Sequence, residues 1–516
     1  MSHEFVGSIS FSSVAMIELV PLRLGAKFKW NRYLRKAPKI SKLIGSASSI
    51  TSYTHLTLRE ITMSKDLLNE TTIILPSSKH NLPKPPTVIP LHGLDLVPPI
   101  HIEIRHFFRI RGPASVFADT INNLKVALAE ALEIYLPVAG TVLTQEDGQI
   151  YNSTDSTSII GASFILDVKD ESFVKETEEL SPRSGAFLPP GSPIFAAKIT
   201  QYTCGTVILT GSLNHQVADL AGYLDFVHLW ATLARGEAVD FSSVPKDWQR
   251  TPKRFFEGLY TEQGVPNPPP GYMVLPKPPT ESPTFAESAI SYWRFTQDDI
   301  KRLKNNFSPP TNWISSGDAL AALCWGAITR ARNAAGIARS PLSDPDNEKL
   351  AMAADGRQRA PDDAMKGSYY GNFNLLIILP VPRSDLLLAT PEAGSRAALR
   401  IRQAIGKQLQ PKEIAHKIAF YEAPENAKPS GRIIWFGDVI MTNWCKFDLV
   451  GPKLDMGPGM GKPFHATAGG VIYPPGYVRM LQEGPSGDVV ILVTVEVPAA
   501  EHLFADALMT KYAKMV

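Results

Sequence analysis

Cysteine is scarce in this chain: Cys204, Cys324 and Cys445 are the only three in 516 residues, and they lie far apart. With no Cys-x-x-Cys pair and no paired spacing, neither a disulfide framework nor a zinc ribbon is indicated, and a reducing compartment is the simpler setting. Long apolar runs are missing too. No stretch reaches the ~18 apolar residues that a membrane span needs. Nor is there an excess of one charge: 52 Lys and Arg stand against 50 Asp and Glu, a formal net charge of +2. That balance does not advertise a nucleic-acid surface. A Gly-x-Ser-x-Gly elbow is absent, which argues against an acyl-serine hydrolase. Scattered histidines give no metal-ligand constellation, and no short-period repeat occurs.

What is present is ordinary for a globular protein. Hydrophobic residues make up 44% of the chain, enough to bury a sizeable core. Residues 1–70 read as an N-terminal extension, either a flexible tail or a surface helix. Its basic cluster (Lys27, Lys29, Arg32, Arg35, Lys36, Lys39 and Lys42) follows the apolar stretch, the reverse of a secretory signal. A cytoplasmic protein is expected, with organelle targeting by this basic segment as the lesser alternative. Thr71 to Leu75 reads as a strand, and His101 to Ile110 as a half-buried one. Ala118 to Leu132 reads as an amphipathic helix, Ile194 to Leu213 as strand, and Asp219 to Arg235 as a helix buried on more than one face.

Lys246 to Ser288 is dense in proline, which predicts an extended connection without regular helix or sheet. Beyond it, Ser291 to Phe295 reads as a strand, Gln297 to Asn305 and Gly317 to Ala335 as helices, and Leu375 to Leu379 and Val489 to Val497 as strands. The pattern predicts an α/β architecture with mixed sheets flanked by helices. The division is 71–245 and 289–516, joined by the crossover 246–288.

The segment Leu213-Asn-His-Gln-Val-Ala-Asp-Leu220 places His215 and Asp219 four residues apart, at a strand-to-helix junction. Imidazole is the side chain that supplies a base near neutral pH without a large pKa shift, and a carboxylate can hold it in one orientation. A satisfied structural His, with Asp219 as the cap of the following helix, is the alternative reading.

In this segment and others the chain resembles the BAHD acyltransferases, in particular their fungal branch, with trichothecene acetyltransferases and hydroxycinnamoyl-type transferases. His215-Gln-Val-Ala-Asp219 matches the family's His-x-x-x-Asp-Gly motif. Asp455-Met-Gly-Pro-Gly-Met-Gly-Lys-Pro463 resembles its Asp-Phe-Gly-Trp-Gly motif. Tyr135 to Gly140, Asp318 to Trp325, Asp355-Gly-Arg357, Tyr370-Gly-Asn372 and Thr442-Asn-Trp444 resemble further family segments in the right order. Three positions depart: Leu220 replaces the motif Gly, and Met456 and Pro458 replace Phe and Trp. Leu220 is expected to narrow the channel or alter the acceptor pocket.

The resemblance implies two similar domains with a channel between them and His215 at its middle. It implies a monomer with acyl-CoA as donor co-substrate, a small-molecule alcohol or amine as acceptor, no permanently bound cofactor, no metal, no nucleic-acid partner and no stable membrane insertion. Asp219 would pair with Arg357 as structural support, and Asp455 would staple its loop. Read physically, the Thr442 hydroxyl or the Trp444 indole N–H could meet an oxyanion, a strand Thr and a buried aromatic being the alternative. Tyr370 and Asn372 could present a donor in the channel, or form a turn. Gly457, Gly459 and Gly461 with Lys462 could cradle CoA phosphates, or form a tight loop. Carrier-protein-dependent acyl transfer, and a non-catalytic ligand-binding protein on the same fold, are the rival functions.

Overall fold

The computed structural model describes residues 69–516 apart from 92, 111–113, 147–148, 243, 246–247, 249, 280–284, 362–368, 429–430 and 470–472. The expected extension 1–70, with its basic cluster, lies outside the described residues except for its last two positions. In chain order the first half contains β1 (Asn69–Ile74), β2 (Val88–Pro90), β3 (His101–Arg109), α1 (Ala114–Ile134), α2 (Leu136–Ala139), β4 (Thr141–Thr144), β5 (Ile150–Ser153), β6 (Ala162–Val168), β7 (Phe195–Gln201), β8 (Thr206–Asn214) and α3 (Leu220–Ala234). After β9 (Tyr272–Val274) the second half runs β10 (Ser288–Phe295), α4 (Gln297–Phe307), α5 (Ser316–Ala334), β11 (Asn347–Asp355), β12 (Asn374–Pro382), α6 (Arg383–Leu387), α7 (Pro391–Gln408), α8 (Pro411–Glu422) and α9 (Pro424–Ala427). It ends with β13 (Ile433–Trp435), β14 (Val439–Asn443), β15 (His465–Ala468), β16 (Tyr477–Leu481), β17 (Val489–Glu496), α10 (Ala500–Phe504), α11 (Ala507–Tyr512) and β18 (Lys514–Met515).

Two large sheets organise these elements. The first has the order β1-β6-β7-β8-β3-β15 and the second β12-β11-β14-β16-β17-β10-β18. Both are mixed: β6 and β7 pair in parallel, as do β11, β14 and β16, while the other pairs of these two sheets are antiparallel. The architecture is therefore the expected mixed-sheet α/β one. Several local expectations change. β3 is buried on both faces rather than one, because it lies between β8 and β15 and both its faces are covered. The strand-like region 194–213 splits into β7 and β8 around a turn at Gly205, whose φ of +78° suits glycine. The proline-dense crossover does contain a strand: Tyr272 to Val274 is free of proline and pairs with β13.

Packing follows chemistry at the helix ends. α4 and α5 both open with capping boxes, Thr296 with Asp299 and Ser315 with Asp318, which satisfy backbone N–H groups that have no partner within the helix. α3 buries residues around most of its circumference, among them Tyr223, Phe226, Trp230 and Ala234. α3 packs with α1 in the core of the first half, and that core also takes Leu454, Met456, Met460 and Ala466 from the C-terminal region. The same exchange brings β15 to the edge of β3, with His465 opposite Phe107 and Ala468 opposite Ile104. The second half thus closes the first sheet, which ties the two together.

Candidate active site

β8 delivers His215 to the end of a fully buried strand. Every residue from Thr206 to Leu220 is buried except His215, which is half-buried. The His215 backbone N–H donates to Ile100 O at 2.9 Å, anchoring the turn beside β3. Its ring Nδ1 lies 3.0 Å from Asn372 Oδ1. The Asn372 amide has only one sensible orientation. Its Nδ2 points at two acceptors, Asp95 Oδ1 at 3.0 Å and His215 O at 2.8 Å. Its Oδ1 must then accept from Nδ1–H of His215. In a neutral imidazole this leaves Nε2 without a proton, its lone pair having no hydrogen-bond partner among the described residues.

Asp95 is held in turn. Arg250 donates to it through Nε at 3.0 Å and Nη2 at 2.8 Å, and the Asn372 backbone N–H adds a bond of 3.1 Å. Both members of this pair are almost fully buried. Arg250 also reaches Gln216 O at 3.1 Å and Tyr370 O at 3.3 Å, so it grips the chain on both sides of His215 and Asn372. Tyr369 OH bonds to the carbonyls of Arg250 and Asn372 at 2.7 and 2.8 Å. Sequence reasoning missed Asp95 and Arg250. One signal was available: Asp95 is the one acidic residue in the otherwise apolar and proline-rich run 87–99.

Asp219 points away from the His215 ring and makes a fork with Arg357, 2.8 Å from Oδ2 to Nη1 and 3.0 Å from Oδ1 to Nη2. It also accepts from Gly222 N at 3.1 Å as the cap of α3, and from Phe373 N at 2.8 Å. Burial works to raise the carboxyl pKa. The Arg357 charge and these N–H donors outweigh it, so the group sits below its ordinary value. Arg357 is likewise shifted up, because Asp219 and Asp355 offset its own burial. Arg357 Nη2 continues to Gly371 O at 2.7 Å. Asp219 therefore bears on His215 only indirectly, by fixing the strip 371–373 that carries Asn372. Gly371 is needed there: a Cβ would lie 3.1 Å from the Tyr369 hydroxyl and 3.2 Å from the Arg250 guanidinium carbon.

Other expected site residues separate. Asn372 joins His215, but both its amide hydrogens are engaged, so it does not offer a donor to an oxyanion. Tyr370 is 2% exposed and packs edge-on against Tyr135 and Trp248, its hydroxyl having no partner among the described residues. It belongs to the first core rather than to an open channel. Leu220 is also turned into that core, 5% exposed, while His215 keeps its exposure. The expected narrowing by Leu220 is thereby corrected: the side chain fills the α3 packing interface. Thr442 lies near the end of β14 and Trp444 just beyond it, both half-buried, and neither side chain has a hydrogen-bond partner among the described residues.

The Gly-rich loop does not form a phosphate cradle. Gly457 N donates to Asp455 Oδ1 at 2.9 Å, Met460 N to Gly457 O at 3.2 Å and Gly461 N to Gly457 O at 2.9 Å. Met456 and Met460 are buried in the first core, and Arg235 at the end of α3 donates to Asp455 O at 2.6 Å. A Cβ on Gly457 would lie 2.6 Å from Ala234 O, and one on Gly459 2.1 Å from Thr120 Oγ1. The N–H groups of Met456, Gly457, Met460 and Gly461 are spent on the loop itself, and Lys462 is exposed at its edge. Asp455 bonds within the loop, through the N–H of Gly457.

A family model described as "Transferase family" matches residues 68–497. The chain is 26% identical over 460 residues to a hydroxycinnamoyltransferase of Narcissus pseudonarcissus, covering 84% of this chain and 97% of the relative. It is 24% identical over 433 residues to the acyltransferase uat1 of Mycosarcoma maydis, covering 75% and 82%. Among solved structures, F. graminearum TRI101 complexed with coenzyme A and deoxynivalenol superposes with a TM-score of 0.66 at 17% identity, over 83% of this chain and 99% of that one. Vinorine synthase superposes with a TM-score of 0.58 at 17% identity, over 84% and 95%.

Proposed function

From the premise that the chain belongs to the Transferase family, the BAHD acyltransferases, we propose that it moves an acyl group from a coenzyme A thioester to a hydroxyl or amine of a small molecule, with His215 as the general base. The family membership makes it an acyltransferase using acyl-CoA. The finer reading rests on one observation: the contact between Nδ1 of His215 and Oδ1 of Asn372, which leaves Nε2 free on the one half-exposed residue of a buried run.

In the proposed mechanism Nε2 takes the proton from the acceptor O–H or N–H as the oxygen or nitrogen attacks the thioester carbonyl. The imidazolium that forms is stabilised by the dipole of Asn372, which Asp95 polarises from behind. The carbonyl oxygen becomes an oxyanion, for which Thr442 and Trp444 are the candidate donors. Collapse breaks the C–S bond, and the thiolate of CoA leaves with the proton from Nε2. No acyl-enzyme forms. Asp219 and Arg357 are positioning residues, and this is not a Ser-His-Asp relay. The halves 71–245 and 289–516 are supported as units by the two sheets, with β15 as a strand lent by the second to the first. Relatives named for hydroxycinnamoyl transfer and a neighbour complexed with a trichothecene support a secondary-metabolite acceptor.

The test is acceptor-dependent release of CoA from a panel of acyl-CoA donors with pooled alcohols and amines, in the wild type and in His215→Ala. Release that needs an acceptor and vanishes in the variant supports the reading. Equal release in both would remove His215 from the chemistry.

A further inference from the structure

Several buried or half-buried arginines of this protein are matched by carboxylates. Arg250 has Asp95 at 2.8 Å, Arg357 has Asp219 at 2.8 Å, and Arg105 has Glu103 at 3.1 Å and Glu176 at 2.9 Å. Arg479 differs. It is 4% exposed and forms no ion pair among the described residues. Its Nη1 donates to Tyr473 OH at 2.6 Å and its Nη2 to Ala468 O at 3.0 Å, both neutral acceptors, while Nε is buried with no acceptor among the described residues. Arg183 and Lys417 also lack a carboxylate, but their buried N–H groups end on hydroxyl or carbonyl oxygens. Arg479 combines the missing counter-ion with an orphaned buried N–H.

Its setting is built for a planar cation. The guanidinium carbon lies 5.5 Å from the centre of the Trp444 ring and 5.4 Å from that of Tyr473. Such aromatic faces offset part of the cost of burying the charge, though not the loss of an anionic partner. Arg479 stands on β16 directly opposite Thr442 of β14. Its neighbours Val478 and Met480 point into the second core, so Arg479 points the other way, and it reaches Ala468 on the first sheet. It therefore spans the seam between the sheets, beside the two candidate oxyanion donors. The Nε–Nη2 edge keeps the Nε hydrogen and a second Nη2 hydrogen for a fork onto two oxygens, the geometry that suits a carboxylate.

We propose that Arg479 is the docking point for a carboxylate carried by one of the two substrates, either the acyl chain or the acceptor. This rests on the acyltransferase reading above. Removed from bulk water, a charge-assisted fork discriminates strongly between an acid and its neutral analogue, because the analogue leaves the guanidinium unmatched.

The experiment uses the full chain in wild-type form and as Arg479→Gln and Arg479→Lys. The acceptor arm compares 3-hydroxybenzoate with its methyl ester, using acetyl-CoA. The donor arm compares succinyl-CoA with butyryl-CoA, using a neutral alcohol. In one arm the wild type should prefer the acid in kcat/KM by about tenfold or more. Arg479→Gln should abolish that preference and leave the neutral substrate within about threefold. Arg479→Lys keeps the charge without the fork, and it should retain the fold, read as melting temperature, with only part of the preference. Calorimetric binding of the acids and their neutral analogues reads the same site if no pair is turned over, so failure of the catalytic reading stays distinct. The proposal is overturned if neither acid is preferred or bound, or if acid and neutral substrates fall together in a folded variant.

Discussion

Two segments stand out in this chain by their resemblance to family motifs, 213–220 and 454–463, and the structure uses them in opposite ways. The first leaves its polar groups to partners far away in sequence. His215 meets Asn372 across 157 residues, and Asp219 meets Arg357 across 138. The second satisfies itself: Asp455, Gly457, Met460 and Gly461 bond within a few residues of one another, and its methionines plug the first core. A segment whose functional groups are held from a distance keeps a reactive face free. One that consumes its own donors has become a brace. The distinction turns on where the hydrogen bonds go, which motif spelling does not reveal.

The largest expected effect lies in the first segment. His215→Ala should lower turnover by on the order of 10²–10⁴, the usual share of a general base, with the melting temperature little changed. Wild-type turnover in the folded variant would remove the contrast. Asp219→Ala should act first on stability, at about 1–3 kcal/mol by chemical denaturation, because it strips the fork from Arg357, leaving it only the more exposed Asp355, and orphans the N–H groups of Gly222 and Phe373. Activity should fall with it as the strip 371–373 loosens. The pH dependence has a definite sign. The folded carboxyl sits below its ordinary value of 3.8. Its contribution is complete above that value and is lost as pH falls through the lower folded one. The stability advantage of wild type over Asp219→Asn should accordingly shrink below pH ~4. An advantage that grows on acidification would mean the pair is not as described.

Asn372→Ala tests the indirect link. With the Nδ1 partner gone the imidazole can adopt either tautomer and rotate, so kcat should fall by about 10- to 100-fold, with KM changed far less. The pH–rate profile should move as well, which a merely structural loss would not produce. An equal rise in KM without a change in kcat would assign Asn372 to substrate binding instead.

Much of this site was legible because its signals are local. His215 and Asp219 sit at a strand–helix junction, a buried helix follows, and Asp219 is its cap, all readable from spacing. Arg357 could be named by resemblance. Asp95 and Arg250 could not, since an acid in a proline-rich loop and an arginine in a basic stretch gain meaning only when folding joins them across 155 residues. The fold shows the same divide. α3 and α5 announce themselves by apolar spacing and caps. β15, with the sequence His-Ala-Thr-Ala, has little strand propensity and exists because the edge of β3 is open to it. β9 was hidden by the prolines around it, although its own three residues are free of them.

In the second segment the effects should be smaller and confined to stability. Gly459 has φ +86°, and a Cβ there would meet Thr120 Oγ1, so Gly459→Ala should cost about 1–2 kcal/mol, or somewhat more if Thr120 cannot shift. Gly461 also has positive φ, +69°, but nothing lies within 4 Å of its would-be Cβ. Gly461→Ala should therefore show the backbone strain alone, and the difference between the two isolates the packing against α1. Neither should change kcat per folded molecule.

Lys462→Ala should do least. A lysine that held a CoA phosphate would sit beside inward-aimed donors in a site partly closed to solvent, where removing it would weaken acyl-CoA binding by tenfold or more. Here the neighbouring N–H groups of Gly457, Met460 and Gly461 are already bonded within the loop, and Lys462 is exposed. A solvated charge in that position is screened by salt and contributes little to any one partner. The KM for acetyl-CoA should change by less than about twofold and should not gain salt dependence. A large rise in KM that disappears at high salt would return this loop to the donor site, and the contrast between the two segments would fail at its weaker end.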